Sequence, residues 1–215
     1  MDVVKIALKI IEEKFSDISE PAGGPGYRVL HAKRVYKYIS NVIGKDMPEL
    51  KGIDKKAVLV AGILHDIGDL DRIANGSIDY SNKIDHAKSG SRIVKEELKK
   101  YGTDNNLVNS IAEIIKNHHN YNNNYSKEIK LVQDSDLLDE LGLINVWQMF
   151  SYSYNSGRSL EETTTYWQKE GYKRKKDCVN NCNFDFTKKI AERRLGEMTA
   201  FFKTLQKENE LRDSD

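Results

Sequence analysis

Apolar positions along the chain recur mostly at spacings of three and four, the signature of helices with one buried face. Val3, Val4, Ala7, Ile10 and Ile11 form the first such stripe. The turn-rich segment Glu20–Tyr27, EPAGGPGY, interrupts it. A second helix is predicted from about Tyr27 to Ile43, stopped by Gly44. Asp54 is placed to cap a third, KKAVLVAGILHDI. HAKSGSRIVKEELKKYG reads as a fourth, with Gly102 as its stop, and Asp104 can cap LVNSIAEIIKNHH. NYNNNY is a polar loop that could border a substrate opening, and Ser126 opens KEIKLVQDSDLLDELG, which Gly142 ends. Ser159 and Glu162 make an S-x-x-E capping box before a helix reaching about Lys175. The last helix, TKKIAERRLGEMTAFFKTLQKE, places Ile190, Ala191, Arg194, Met198, Phe201 and Phe202 at helical spacing, and ELRDSD is expected to fray. No segment alternates convincingly as a strand. The pattern predicts an all-α protein of about seven to nine helices, one domain over residues 1–215. Its core spans about 25–155, and C-terminal helices over about 159–210 pack on it.

Composition narrows what such a bundle can do. The 215 residues are 39% apolar and 31% charged, and 34 Lys+Arg stand against 33 Asp+Glu for a net charge of +1. That balance argues against nucleic acid as a partner held by bulk charge. The basic run Lys173–Lys176 reads as a solvated helix end. The longest apolar run, Ala57–Leu64 with Gly62 counted, is eight residues, where a membrane span needs about 20. The N-terminal stripe is broken by acids and lysines, unlike a signal peptide. Cys178 and Cys182 are too few for a disulfide scaffold, so a reducing, cytoplasmic setting is expected. A second copy of the chain stays open as a partner.

Candidate chemistry lies in the five histidines. His31, His65, His86, His118 and His119 fall on successive predicted helices, His65 is followed by Asp66, and a later helix offers Asp134 and Asp136. Imidazole and carboxylate together suit divalent ions of the Mn, Fe, Co, Ni and Zn type, and helices can hold such ligands rigidly in a bundle core. The apolar run before His65-Asp66 would carry this dyad inside, where a carboxylate needs a partner such as a cation. Neighbours on a helix differ by about 100°, so His65 and Asp66 would line two sides of a wide site, with Asp66 able to bridge two ions. Cys178 and Cys182, four apart with no nearby histidine, are read as free thiols.

His31, then His65-Asp66, then a distal aspartate resembles the H…HD…D pattern of the HD-domain metal-dependent phosphohydrolase superfamily. HxxRV at His31–Val35, LHDIGD at Leu64–Asp69, HAxxG at His86–Gly90, IxxHH ending at His119, LVQDSDLLDELG and AERRLGEM are similar to small bacterial and archaeal members of it. The resemblance covers residues 25–205 and implies a single HD-domain helical bundle with a C-terminal helical extension. It implies one or two divalent ions (Mn, Fe, Ni, Co, Mg or Zn) held by His31, His65, Asp66 and Asp136, with His86, His118 and His119 for a second ion. Asp136 fits the family's aspartate frame, while Asp134 lies about 200° round the helix as a supporting candidate.

The implied activity is hydrolysis of a phosphate ester, of a nucleotide or another small phosphorylated substrate, by metal-activated water. Asp66 and His65 would act at the reaction centre, with Arg34 and Lys116 among the cations close enough in sequence to meet a phosphate; structural pairing of Arg34 is an equal alternative. Two other readings use the same residues: a di-iron oxygenase of the HD type, and a metal-stabilised binding module without turnover.

Overall fold

A computed structural model describes residues 2–121 and 124–210. Asn122 and Asn123 of the predicted polar loop, and Leu211–Asp215 of the predicted tail, lie outside the described residues. The expected all-α class is what the structure has. Two compact units divide the chain, Met1–Asp136 and Leu137–Asp215.

In the first unit, α1 (Val3–Phe15) is capped by Asp2 and buries Ile6, Ala7, Ile10, Ile11 and Phe15. Helix α2 spans Tyr27–Ile43. Helix α3, Lys55–Leu64, is capped by Asp54, whose side chain accepts from Ala57 N at 3.0 Å. Every residue of α3 from Ala57 to Leu64 except the partly covered Leu59 is buried. A helix apolar all round belongs at a centre, and α1, α2 and α5 all pack on α3. Helix α4 (His86–Lys99) is capped by Asp85 and lies against α5 (Asn105–Asn117), capped by Asp104. Helix α6 is Lys127–Asp139, and Gln133 ties it to the end of α5 by donating to the carbonyls of Asn117 and Asn120 at 3.0 and 2.6 Å.

A small antiparallel hairpin was not expected. Strands β1 (Ile73–Ala74) and β2 (Ser77–Ile78) pair Ile73 with Ile78 and Ala74 with Ser77. Asn75 and Gly76 form the turn, with φ of 51° and 74°. Such a turn needs positive φ at both central residues, for which Asn-Gly is the favoured pair. The loop before α2 runs beside this hairpin: Ser19 N donates to Gly76 O at 2.9 Å, and Ile78 N to Ser19 O at 3.0 Å.

In the second unit, α7 is Leu143–Asn155, and α8 (Leu160–Tyr166) begins at Ser159 with the capping box closed in both directions. The chain continues helically past the expected Lys175. A π-type turn over Trp167–Gly171 leads into α9 (Tyr172–Asn180), and α10 is Asp185–Asn209. Trp167 stacks on Phe202 with ring centroids 4.3 Å apart. Met198 and Phe202 of the predicted stripe are buried, while Phe201 is exposed. Lys175 departs from the solvated reading of its basic run: it is buried, with Nζ 2.6 Å from Glu140 Oε2. Among the described residues no helix is long and apolar enough to cross a membrane.

Candidate metal centre

All five histidines meet in the first unit, and most do so at helix ends. Helix α3 stops at Leu64, three residues earlier than its apolar pattern suggests. His65 caps it, and Asp66 follows with φ −97° and ψ 11°, outside the helix, before a 3-10 turn over Ile67–Arg72. The expected 100° divergence of the dyad therefore does not apply, and both side chains turn into one place: His65 Nε2 lies 3.2 Å from Asp66 Oδ2. His86 is the first residue of α4, and His118 caps the end of α5 with His119 beyond it. His31 and Asp136 come from within α2 and α6.

Backbone contact sets the spacing of two of these arms. A Cβ on Gly68 would stand 1.8 Å from the carbonyl oxygen of His86 and 2.5 Å from Gly90 N. Only glycine lets the chain after Asp66 approach α4 so closely, which explains the glycines of LHDIGD and HAKSG together.

The ligand atoms form two groups, His31–His65–Asp136 and Asp66–His86–His118–His119, each with its atoms within 4.8 Å of one another. Asp66 joins them. Its Oδ2 lies 3.4 and 3.2 Å from Nε2 of His31 and His65, and its Oδ1 lies 3.4 and 3.5 Å from Nε2 of His86 and His118. Asp136 Oδ1 lies 3.4 and 3.5 Å from Nε2 of His31 and His65. Asp134 is buried, about 200° round α6 from Asp136.

The donor set fits a divalent cation. His65 Nδ1 lies 3.0 Å from Gly62 O, and His118 Nδ1 lies 2.6 Å from Ile115 O. Carbonyls only accept, so each neutral ring carries its proton on Nδ1 and leaves an Nε2 lone pair facing the cluster. His118 Nε2 is buried without a hydrogen-bond partner. Such an orphaned acceptor is costly unless something electrophilic meets it.

The electrostatics agree. Burial by itself would raise Asp66 and Asp136, yet Arg28 and His65 hold Asp66, and His31 and His65 hold Asp136, well below the usual carboxylate range. Burial would lower His65, but Asp66 and Asp136 outweigh it and hold the ring up to about 9. His119 is the exposed member, yet loss of water around its ring, then repulsion from His118, pushes it down to about 4.

The HD domain model matches residues 28–141, a stretch containing all seven of these residues. The chain belongs to the HD domain family. This HD domain is similar to the crystal structure of an HD-superfamily hydrolase from Bacillus thuringiensis, at 22% identity and a TM-score of 0.70 over 95% of each chain. Bacillus subtilis YpgQ matches at 19% identity and a TM-score of 0.68, over 97% of this chain and 96% of its own. YpgQ in complex with ADP matches at 18% and 0.64, over 95% and 97%. At these identities the likeness is one of fold. No curated protein matches the chain.

The other two residues expected at the reaction centre sit differently. Arg34 is half-buried, donates to Tyr27 Oη at 2.8 Å and lies over that ring. Lys116 is exposed in the last turn of α5. The cation that touches the HD domain's ligand cluster is Arg28, which sequence reasoning passed over. Buried on α2, it donates through Nη1 to Asp66 Oδ2 and through Nη2 to Glu20 Oε1, and Nη2 lies 2.9 Å from both Asp69 Oδ2 and Tyr80 Oη. Tyr80 in turn donates to Glu20 at 2.5 Å. The one available signal was spacing: Arg28 is three residues before His31, on the same face of the helix.

Proposed function

We propose that this protein is a metal-dependent phosphohydrolase that cleaves a phosphate ester of a nucleotide or another small phosphorylated metabolite. The observation that carries the reading is the division of Asp66, with one oxygen toward His31 and His65 and the other toward His86 and His118. In this reading His31, His65, Asp66 and Asp136 would hold one divalent ion, and His86, His118 and His119 would hold a second, with Asp66 able to serve both. Bound there, such ions polarise phosphoryl oxygens and bring the pKa of water toward neutrality.

The chain's own groups do the positioning. The Gly62 and Ile115 carbonyls fix the tautomers of His65 and His118, so neither ring has to reorient when a ligand binds. Burial of His31, His65, Asp66, His118 and Asp136 keeps competing water off these donors. The reading takes water as the nucleophile. Arg34 and Lys116 are the cations assigned to the phosphate, Lys116 because it is exposed two residues before His118. The ADP bound by YpgQ supports a nucleotide as the first class to test.

The test is phosphate release with added Mn²⁺ from mononucleotides, cyclic nucleotides and sugar phosphates. Turnover of at least one class is expected. A protein that binds Mn²⁺ tightly but releases phosphate from none of them overturns the reading in favour of an oxygenase or a binding module.

A further inference from the structure

We infer that Arg28 is a positioning residue for the shared carboxylate: held by Glu20 and Tyr80, it sets the rotation of Asp66 that turns one oxygen to each histidine group. The inference rests on Asp66 serving both groups, as in the function proposed above.

Free rotation about χ2 would let a carboxylate aim either oxygen anywhere on a cone, and two ligand groups need it stopped at one angle. Arg28 Nη1 donates to Asp66 Oδ2, the oxygen that faces His31 and His65, which leaves Oδ1 for His86 and His118. The guanidinium is itself fixed. Its Nη2 meets Glu20 Oε1, Asp69 Oδ2 and Tyr80 Oη, and it is 8% exposed. Three carboxylates share the two Nη groups of one planar fork, while Nε is buried without a hydrogen-bond partner. Glu20 comes from the loop before α2 and Tyr80 from the segment after the hairpin. The bridge between Ser19 and Ser77 brings these two segments side by side. Asp69 is further held by Arg72, Nη1 to Oδ1 at 3.1 Å. The arrangement is a hydrogen-bonded brace behind the carboxylate.

Two roles for Arg28 predict opposite signs. As a mere counter-charge it repels any cation bound beside Asp66, so neutralising it should tighten metal binding. As a brace it presents Asp66 correctly, so removing it should weaken binding, by about 10–100-fold, the usual effect of losing a partner that orients a metal ligand.

The experiment is calorimetric titration of the full chain, stripped of metal, with Mn²⁺, for wild type, Arg28→Gln, Arg28→Lys and Tyr80→Phe. Circular dichroism checks the fold, and Mn²⁺ electron paramagnetic resonance reads the ligand environment. Arg28→Gln should weaken Mn²⁺ binding by about 10–100-fold and alter the resonance spectrum. Arg28→Lys, which keeps the charge but lacks the fork, should be at least as weak. Tyr80→Phe removes one hydroxyl from the brace and should give a smaller loss in the same direction; it decides the matter if the Arg28 variants do not fold. Unchanged or tighter binding in the folded variants overturns the role of Arg28 alone. A wild type that binds no Mn²⁺ overturns the shared-carboxylate reading and this inference with it.

Discussion

His31 and His65 point the same ring atom at each other, Nε2 to Nε2, across 2.9 Å. The Gly62 carbonyl claims the Nδ1 proton of His65, so without a cation a proton on one of the two facing nitrogens bridges the rings. Asp66 and Asp136 stand beside that proton and favour it. A divalent ion bound by the same atoms would take its place.

This gives the metal-free protein a defined pH response. His65 is held at about 9 when folded, against an ordinary value of 6.5. Because the folded value is the higher one, its stabilisation is fully present below about pH 6.5 and is lost as pH rises through about 9. The melting temperature of chelator-treated protein should fall by several degrees over that window, at about 2–4 °C per kcal/mol for a chain of this size. Added Mn²⁺ should reverse the trend, since an ion competes better as protons leave. A flat profile for the chelated protein between those pH values would count against a His65 held charged by Asp66 and Asp136.

Asp66→Ala and Asp134→Ala should separate sharply. The first removes the carboxylate whose two oxygens face the two histidine groups. Phosphate release should fall by several orders of magnitude, and the Mn²⁺-induced rise in melting temperature should shrink. Helix propensity does not oppose alanine at Asp134, within α6. Asp134 is buried on α6, so its loss should lower stability while leaving the Mn²⁺ shift in place. Melts with and without Mn²⁺, run beside the phosphate assay, read both effects.

Gly68→Ala tests the backbone contact with His86. Its new methyl would stand 1.8 Å from a carbonyl oxygen, so the 3-10 turn and the start of α4 must separate. Forced overpacking usually costs about 1–3 kcal/mol and sometimes more. Since His86 sits at the moved end, Mn²⁺ affinity should drop together with stability. A variant with wild-type affinity would show that His86 does not depend on that contact.

Ser159→Ala is the contrasting case. It breaks the capping box at the start of α8, at a cost of about 1 kcal/mol. Thermal melts should register that loss, and the Mn²⁺ shift should remain as in wild type.

Much of the helical plan could be read from local chemistry. The caps at Asp54, Asp104 and Ser159 are all used as their sequences suggest, because a cap depends on three or four neighbouring residues. The early end of α3 could not be read this way. Leu64, His65, Asp66 and Ile67 continue the helical pattern, and the chain leaves it because Gly68 must lie against α4. The hairpin was too short to alternate, although its Asn75-Gly76 pair was a usable signal. The histidines stood out by type and order. Arg28, Glu20 and Tyr80 did not, since what joins them is a meeting of a loop, a helix and a post-hairpin segment. Lys175 looked solvated for a similar reason: Glu140, 35 positions away, meets it.

The placement of His65, His86 and His118 at the ends of α3, α4 and α5 bears on how the fold breathes. Helix ends are where hydrogen bonds open first, at small free-energy cost. Tying three such ends to one point makes their fraying a shared event: none can open without disturbing the others' grip. Amide hydrogens in the last turns of α3 and α5 would then exchange with solvent on a common timescale, one set by cation concentration.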